Sequence, residues 1–282
     1  MEHPFDLNEL YIHEYPGNSN LKPVLFLHGN TQNSTCGTGV IEFFRSKGHR
    51  VVVWELPGHG LSKLTVDHYK FSDLVALNSQ IIEKYHLQQG LLVGHSIGGM
   101  IILASVIERQ FDDASLLLMG SLDKNPIEAV KEHNLSDALY MQTSLDSYME
   151  AGDGLFKRQR QYDYFENRHL DDSFTEIFNR RYTQPLANRI NLTSLAEYDV
   201  REQLSSTPRV MVVLHGAKEE VIPPALVEDM MTHYPWALLE WYPEGGHNAF
   251  FQHHELTVTF LKKHYDRLCT NNLSVLRSKA EA

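Results

Sequence analysis

The chain has only two cysteines, Cys36 and Cys269, at opposite ends of 282 residues. Neither sits at a metal-ligand spacing, and one possible bridge does not make a disulfide framework, so reduced thiols are expected. Positive charge is scarce: 25 Lys and Arg stand against 36 Asp and Glu, a net of −11 with histidine neutral. Nucleic acids and anionic membrane surfaces attract clustered positive charge, so neither is an expected partner. Long apolar runs are missing too. The longest, around Met100 to Ile107, falls far short of the roughly 20 residues that span a bilayer. The opening MEHPFD lacks the basic start and apolar stretch of a signal peptide. A cytoplasmic location is the expectation. Internal repeats and low-complexity segments are also lacking.

What is present is an ordinary globular composition, 42% hydrophobic and 22% charged, long enough to bury a core without staples. Short continuous apolar runs occur at 21–28 (LKPVLFLH), 50–56 (RVVVWEL), 90–94 (GLLVG), 115–119 (SLLLM), 209–215 (RVMVVLH) and, more weakly, 238–242 (LLEWY). Runs that do not alternate with polar residues suit strands buried on both faces, as in a parallel sheet covered by helices. Between them the apolar positions step by three and four. Phe71, Leu74, Val75, Ile81, Ile82 and Tyr85 make one such stripe, interrupted only by Asn78. Ile41, Phe43 and Phe44 before Gly48 mark an earlier helix with a glycine stop. Helices are also expected at 100–106, 225–234 and 249–265. The alternation predicts an α/β fold with a mostly parallel central sheet flanked by helices.

From Asp123 to Thr207 the rhythm breaks. No strand-like run appears, and the segment is mixed polar and aromatic, too long for a bare loop. The expected organisation is a core in two parts, residues 1–122 and 208–282, with a helical insertion over 123–207 before the last strands. The tail from Asp266 is polar and is expected to fray.

The chemistry centres on Gly94-His95-Ser96-Ile97-Gly98-Gly99, which follows a strand-like run and opens a helical one. That is a G-x-S-x-G nucleophile elbow in its required setting. The flanking glycines allow a sharp turn that thrusts the serine hydroxyl clear of the backbone. The helix N-terminus below it offers unpaired N–H groups to developing negative charge.

With these residues the chain resembles the α/β-hydrolase superfamily over about Leu21 to Tyr265. His28-Gly29-Asn30 looks like the family's oxyanion loop, and Pro57-Gly58-His59-Gly60-Leu61-Ser62 like its next turn. The resemblance implies Ser96 as nucleophile, His247 in Gly245-Gly246-His247-Asn248 as the catalytic histidine, and an acid between them in the chain. Glu219 in GAKEEVIP stands where the family carries aspartate; Glu220, Asp123 or no acid at all are the alternatives. The oxyanion would be held by the backbone N–H groups of Asn30 and Ile97. His28 and His95 read as hydrogen-bonding support. His253 and His254 read as surface residues, and no metal or organic cofactor is expected. The insertion would be the family's cap.

The implied reaction is hydrolysis of a carboxylic ester, or a related thioester or lactone, through an acyl-serine, with a small-molecule acyl substrate. Amide hydrolysis, carbon–carbon bond hydrolysis, acyl transfer and a small-molecule receptor on the same fold are the alternatives, because the elbow alone does not set specificity. A serine at position 96 disfavours dehalogenase and epoxide hydrolase chemistry, which need a carboxylate nucleophile there.

Overall fold

The computed structural model describes residues 3–135, 184–206 and 208–269. All six apolar runs form strands: Val24–Leu27 (β2), Val51–Trp54 (β3), Leu91–His95 (β4), Ser115–Met119 (β5), Met211–Gly216 (β6) and Leu238–Tyr242 (β7). A seventh, Ile12–Tyr15 (β1), was not expected. It is half-exposed at both ends and exposed between, and it pairs antiparallel with β3, Ile12 opposite Trp54. An edge strand needs no continuous apolar run, so IHEY carries no strong signal. The sheet order is β1-β3-β2-β4-β5-β6-β7, and every pair other than β1–β3 is parallel.

Successive side chains of a strand face opposite ways, and the core divides accordingly. Leu25, Leu27, Leu92, Leu116, Leu118 and Val213 face one layer. There they meet Phe71–Lys84 (α2), Ile97–Glu108 (α3) and, later in the chain, Pro224–His233 (α7). Val24, Phe26, Leu91, Val93, Leu117 and Val212 face the other, against Thr38–Ser46 (α1) and two closing helices, Ala249–Gln252 (α8) and His254–Cys269 (α9). Both strand faces are therefore buried, which is why the runs read as continuous.

Asn78 interrupts the α2 stripe without leaving the core; it is fully buried. Its Oδ1 accepts from Trp54 Nε1 at 3.2 Å, and its Nδ2 donates to Ser105 Oγ at 2.9 Å. Asn78→Ala strands the indole N–H in the core. We expect a loss of about 2 kcal/mol, with activity retained. A thermal scan reading a drop under about 1 °C would contradict it.

The expected helix over 249–265 is two helices. His253 leaves the helical region at φ −101°, ψ 56°. The hydroxyl of Thr257 satisfies the carbonyl released at the break, donating to Phe250 O at 2.8 Å, and Tyr242 OH lies 2.8 Å from it. A side chain that takes over a helical acceptor is a common cause of such kinks. α9 runs to Cys269, four residues into the tail expected to fray, and the rest of the tail lies outside the described residues. Cys36 and Cys269 are free thiols. Among the described residues no helix is long and apolar enough to cross a membrane.

Between β5 and β6 the described residues are helical: Pro126–Glu132 (α4), Pro185–Ser194 (α5) and Arg201–Ser205 (α6). The middle of the expected insertion, 136–183, lies outside the described residues. Its two ends are tied together. Lys124 and Asp199 form an isolated antiparallel bridge. Asn125 N donates to Tyr198 O at 2.7 Å, and Val200 N donates to Asp123 O at 2.9 Å.

Candidate active site

The six parallel strands, β2 to β7, end on the same side of the sheet, and the turns beyond them carry the chemistry. β4 ends at His95, and Ser96 opens α3 with φ 51° and ψ −125°. Left-handed φ is unfavourable for a residue with a Cβ, costing on the order of 1–3 kcal/mol. Close backbone packing enforces it. A Cβ on Gly94 would lie 2.5 Å from Gly99 Cα, and one on Gly98 would lie 2.6 Å from Leu27 O. Ser96 N donates to Met119 O at 2.9 Å, and Ser121 Oγ donates to Ser96 O at 2.9 Å. Across Leu91–Met100, Ser96 alone is not fully buried.

His247, in the turn after β7, is 4% exposed. Its Nδ1 lies 2.8 Å from Glu219 Oε2. The other carboxylate oxygen, Oε1, accepts from Val221 N at 2.7 Å and Ile222 N at 3.1 Å. Burial alone would raise the Glu219 carboxyl, but the charge and hydrogen bond of His247, with His215 and the Ile222 N–H, hold it below the usual carboxylate range. An ionised Glu219 accepts a hydrogen bond from Nδ1–H, leaving Nε2 of His247 as the basic nitrogen. His215, in β6, braces this acid loop by donating from Nε2 to Ile222 O at 2.9 Å.

Of the alternative acids, Glu220 is exposed. Asp123 is buried but accepts from Tyr234 OH at 2.7 Å. Burial raises its carboxyl above the ordinary range. Glu219 is the carboxylate that meets His247.

Residues 29–34 follow β2 and face the elbow. Thr31 turns this loop with φ 64°. Among the described residues, the backbone N–H groups of Asn30 and Ile97 donate to no backbone or side-chain acceptor. His28 is buried between Gly29 O, 2.7 Å from Nδ1, and Leu56 N, which donates to Nε2 at 3.1 Å. Burial holds this imidazole neutral, its pKa lowered to about 4. His59 is lowered to about 3 by burial and by His28.

Several supporting residues carried no signal in the sequence. Glu55, buried at the end of β3, accepts from Ser34 N at 3.0 Å, Ser34 Oγ at 2.8 Å and Leu61 N at 2.6 Å. It ties the 29–34 loop to the 57–62 turn. Asn191 on α5 donates to Asn30 Oδ1 at 3.0 Å and accepts from Tyr69 OH at 2.7 Å. Asn188 accepts from Asn30 Nδ2. Through these amides α5 rests on the loop. The partners lie so far apart in sequence that no local pattern links them. His253 is half-buried and His254 exposed, and among the described residues no group of three His, Cys, Asp or Glu is placed to hold a metal ion.

Comparison with known proteins agrees with this architecture. The profile of the alpha/beta hydrolase family matches residues 24–259. A 2-hydroxymuconate semialdehyde hydrolase of Pseudomonas putida is 28% identical over 242 residues, covering 83% of each chain. A pimeloyl-[acyl-carrier protein] methyl ester esterase of Nitrosomonas europaea is 22% identical over 239 residues, covering 84% of this chain and 92% of its own. A thermophilic esterase of Thermogutta terrifontis superposes with a TM-score of 0.73 at 18% identity, covering 93% of this chain and 94% of that one. With the parallel sheet, the elbow after β4 and a family match across most of the sequence, the chain belongs to the alpha/beta hydrolase family.

Proposed function

We propose that this protein is a serine hydrolase that cleaves a carboxylic ester, or a related thioester or lactone, through an acyl-Ser96 intermediate. The observation that carries this reading is the buried Glu219–His247 contact of 2.8 Å, taken with a serine held in a left-handed turn. His247 Nε2 takes the proton of Ser96 Oγ as the oxygen attacks the carbonyl carbon. Glu219 fixes the tautomer and stabilises the imidazolium. The N–H groups of Asn30 and Ile97 receive the oxyanion, each worth a few kcal/mol in such sites. The imidazolium protonates the leaving oxygen, and water activated by the same nitrogen releases the acid. The α4–α6 segment is read as part of a cap over a small-molecule acyl substrate.

A second reading, hydrolysis of a carbon–carbon bond by the same residues, is favoured by the likeness to a 2-hydroxymuconate semialdehyde hydrolase, whose name contains no ester. A panel of esters, thioesters, lactones and activated ketones separates the two. We expect turnover of p-nitrophenyl esters that disappears in Ser96→Ala. Tight binding without turnover across the whole panel would overturn the hydrolase reading. Glu219→Gln should lower kcat by at least about tenfold, because a neutral amide stabilises the imidazolium poorly, while Asp123→Asn stays within about threefold. The reverse ranking would move the acid to Asp123.

A further inference from the structure

His95 stands immediately before Ser96 and is fully buried. Its Nε2 lies 2.9 Å from the main-chain oxygen of His247. A carbonyl oxygen only accepts, so Nε2 carries the proton. On the other side of the ring, Nδ1 packs 2.8 Å from Gln32 Oε1, a close contact and not a hydrogen bond, since both atoms are acceptors in the neutral ring. Gln32 is itself 2% exposed. It accepts from Gly29 N at 2.9 Å through Oε1 and donates to Asn248 Oδ1 at 2.5 Å through Nε2. One imidazole and one amide thus join three turns: the 29–32 loop, the elbow at 95–96 and the turn at 247–248.

The surroundings are built around the ring. A Cβ on Gly29 would come 2.6 Å from His95 Nδ1, and one on Gly120 would come 3.4 Å from Nε2. The His247 ring lies 4.8 Å away and Phe250 4.6 Å, centre to centre. Burial, with His247 close by, keeps the His95 imidazole neutral. Glu219 grips the far end of the His247 side chain, but it does not fix the backbone from which that side chain hangs. His95 does.

We propose that His95, backed by Gln32, is a positioning residue that sets the reach of His247 toward Ser96. This rests on the reading of Ser96 as nucleophile and His247 as base. A ring that merely filled space would be replaceable by an apolar side chain of similar volume. A brace would not, because a shift of about 1 Å in a reacting group commonly costs on the order of 100-fold in rate.

The test follows covalent labelling of Ser96 by a fluorophosphonate, read by intact mass against time, beside thermal midpoints and the downfield proton resonance of His247 Nδ1–H. His95→Leu is expected to fold and to label about 30- to 100-fold more slowly, with the downfield resonance broadened or lost. His95→Gln, which keeps an N–H donor at the reach of Nε2, should recover about a third or more of the wild-type labelling rate. Labelling of folded His95→Leu within threefold of wild type, or a His95→Gln no faster than His95→Leu, overturns the proposal. Should His95→Leu fail to fold, Gln32→Met takes its place. It is expected to label at least about tenfold more slowly, and an unchanged rate overturns the brace. If the wild type itself does not label, the serine hydrolase reading fails. The brace is then judged on the downfield resonance, which must weaken in the folded variants; a sharp, unshifted line there overturns it.

Discussion

His247→Ala should lower kcat by about 10⁴-fold or more, since removing the base from a triad leaves only binding and the oxyanion donors. It should also cost stability, which a sequence view of the residue as purely catalytic does not anticipate. Glu219 is 3% exposed and ionised beside the imidazole. Taking the imidazole away leaves a buried carboxylate held only by the Val221 and Ile222 N–H groups. Breaking one partner of a buried pair typically costs about 3–5 kcal/mol; those two donors reduce the expected loss to about 2. The double variant His247→Ala/Glu219→Gln should regain much of that loss while staying inactive. Chemical denaturation of the three variants checks this. Additive losses in the double variant would mean that Glu219 is not charged in the fold.

Acid should unfold the protein well before its carboxylates are neutralised. His28 has an ordinary value of 6.5 and a folded value of about 4; burial lowers His59 to about 3 and His95 well below 6.5. Below pH 6.5 the unfolded chain binds protons at these rings that the folded chain refuses, so stability falls as pH falls through the window down to the folded values. Each ring contributes about 1.4 kcal/mol per pH unit, so three amount to about 4 kcal/mol per unit. Asp123, raised by burial, works the other way and is one group against these three and His215, which burial also lowers. Glu219, held low, adds to the loss only below its ordinary 4.5. Between pH 7.5 and 5 the thermal midpoint should fall by roughly 10–20 °C. A midpoint flat across that range would show that these rings accept protons without leaving the fold.

The parallel strands were legible because burial on both faces writes an unbroken run of Val and Leu, as in VVVW at 51–54 and SLLLM at 115–119. The elbow was legible because its glycines and serine sit within six consecutive residues, although Gly98 is demanded by the distant Leu27 carbonyl. Glu219 and His247 stood out because the resemblance to the α/β-hydrolase family points to an acid and a histidine at those places after strand-like runs. Gln32 and Glu55 did not, because an isolated polar residue reveals nothing until its partners arrive. For Gln32 these include Asn248, 216 positions on; for Glu55 they are Ser34 and Leu61. The break at His253 was hidden for a similar reason: it depends on where one threonine hydroxyl points. β1 escaped notice because an edge strand needs only backbone partners.

The bridge between Lys124 and Asp199 closes the chain between them into a single loop. Its neck is closed by backbone bonds that ask nothing of the intervening residues, and lengthening a closed loop twofold adds only about 0.6 kcal/mol of closure entropy. A change of length between α4 and α5 therefore leaves the neck closed, while α5 keeps its own hold on the 29–34 loop through Asn188 and Asn191.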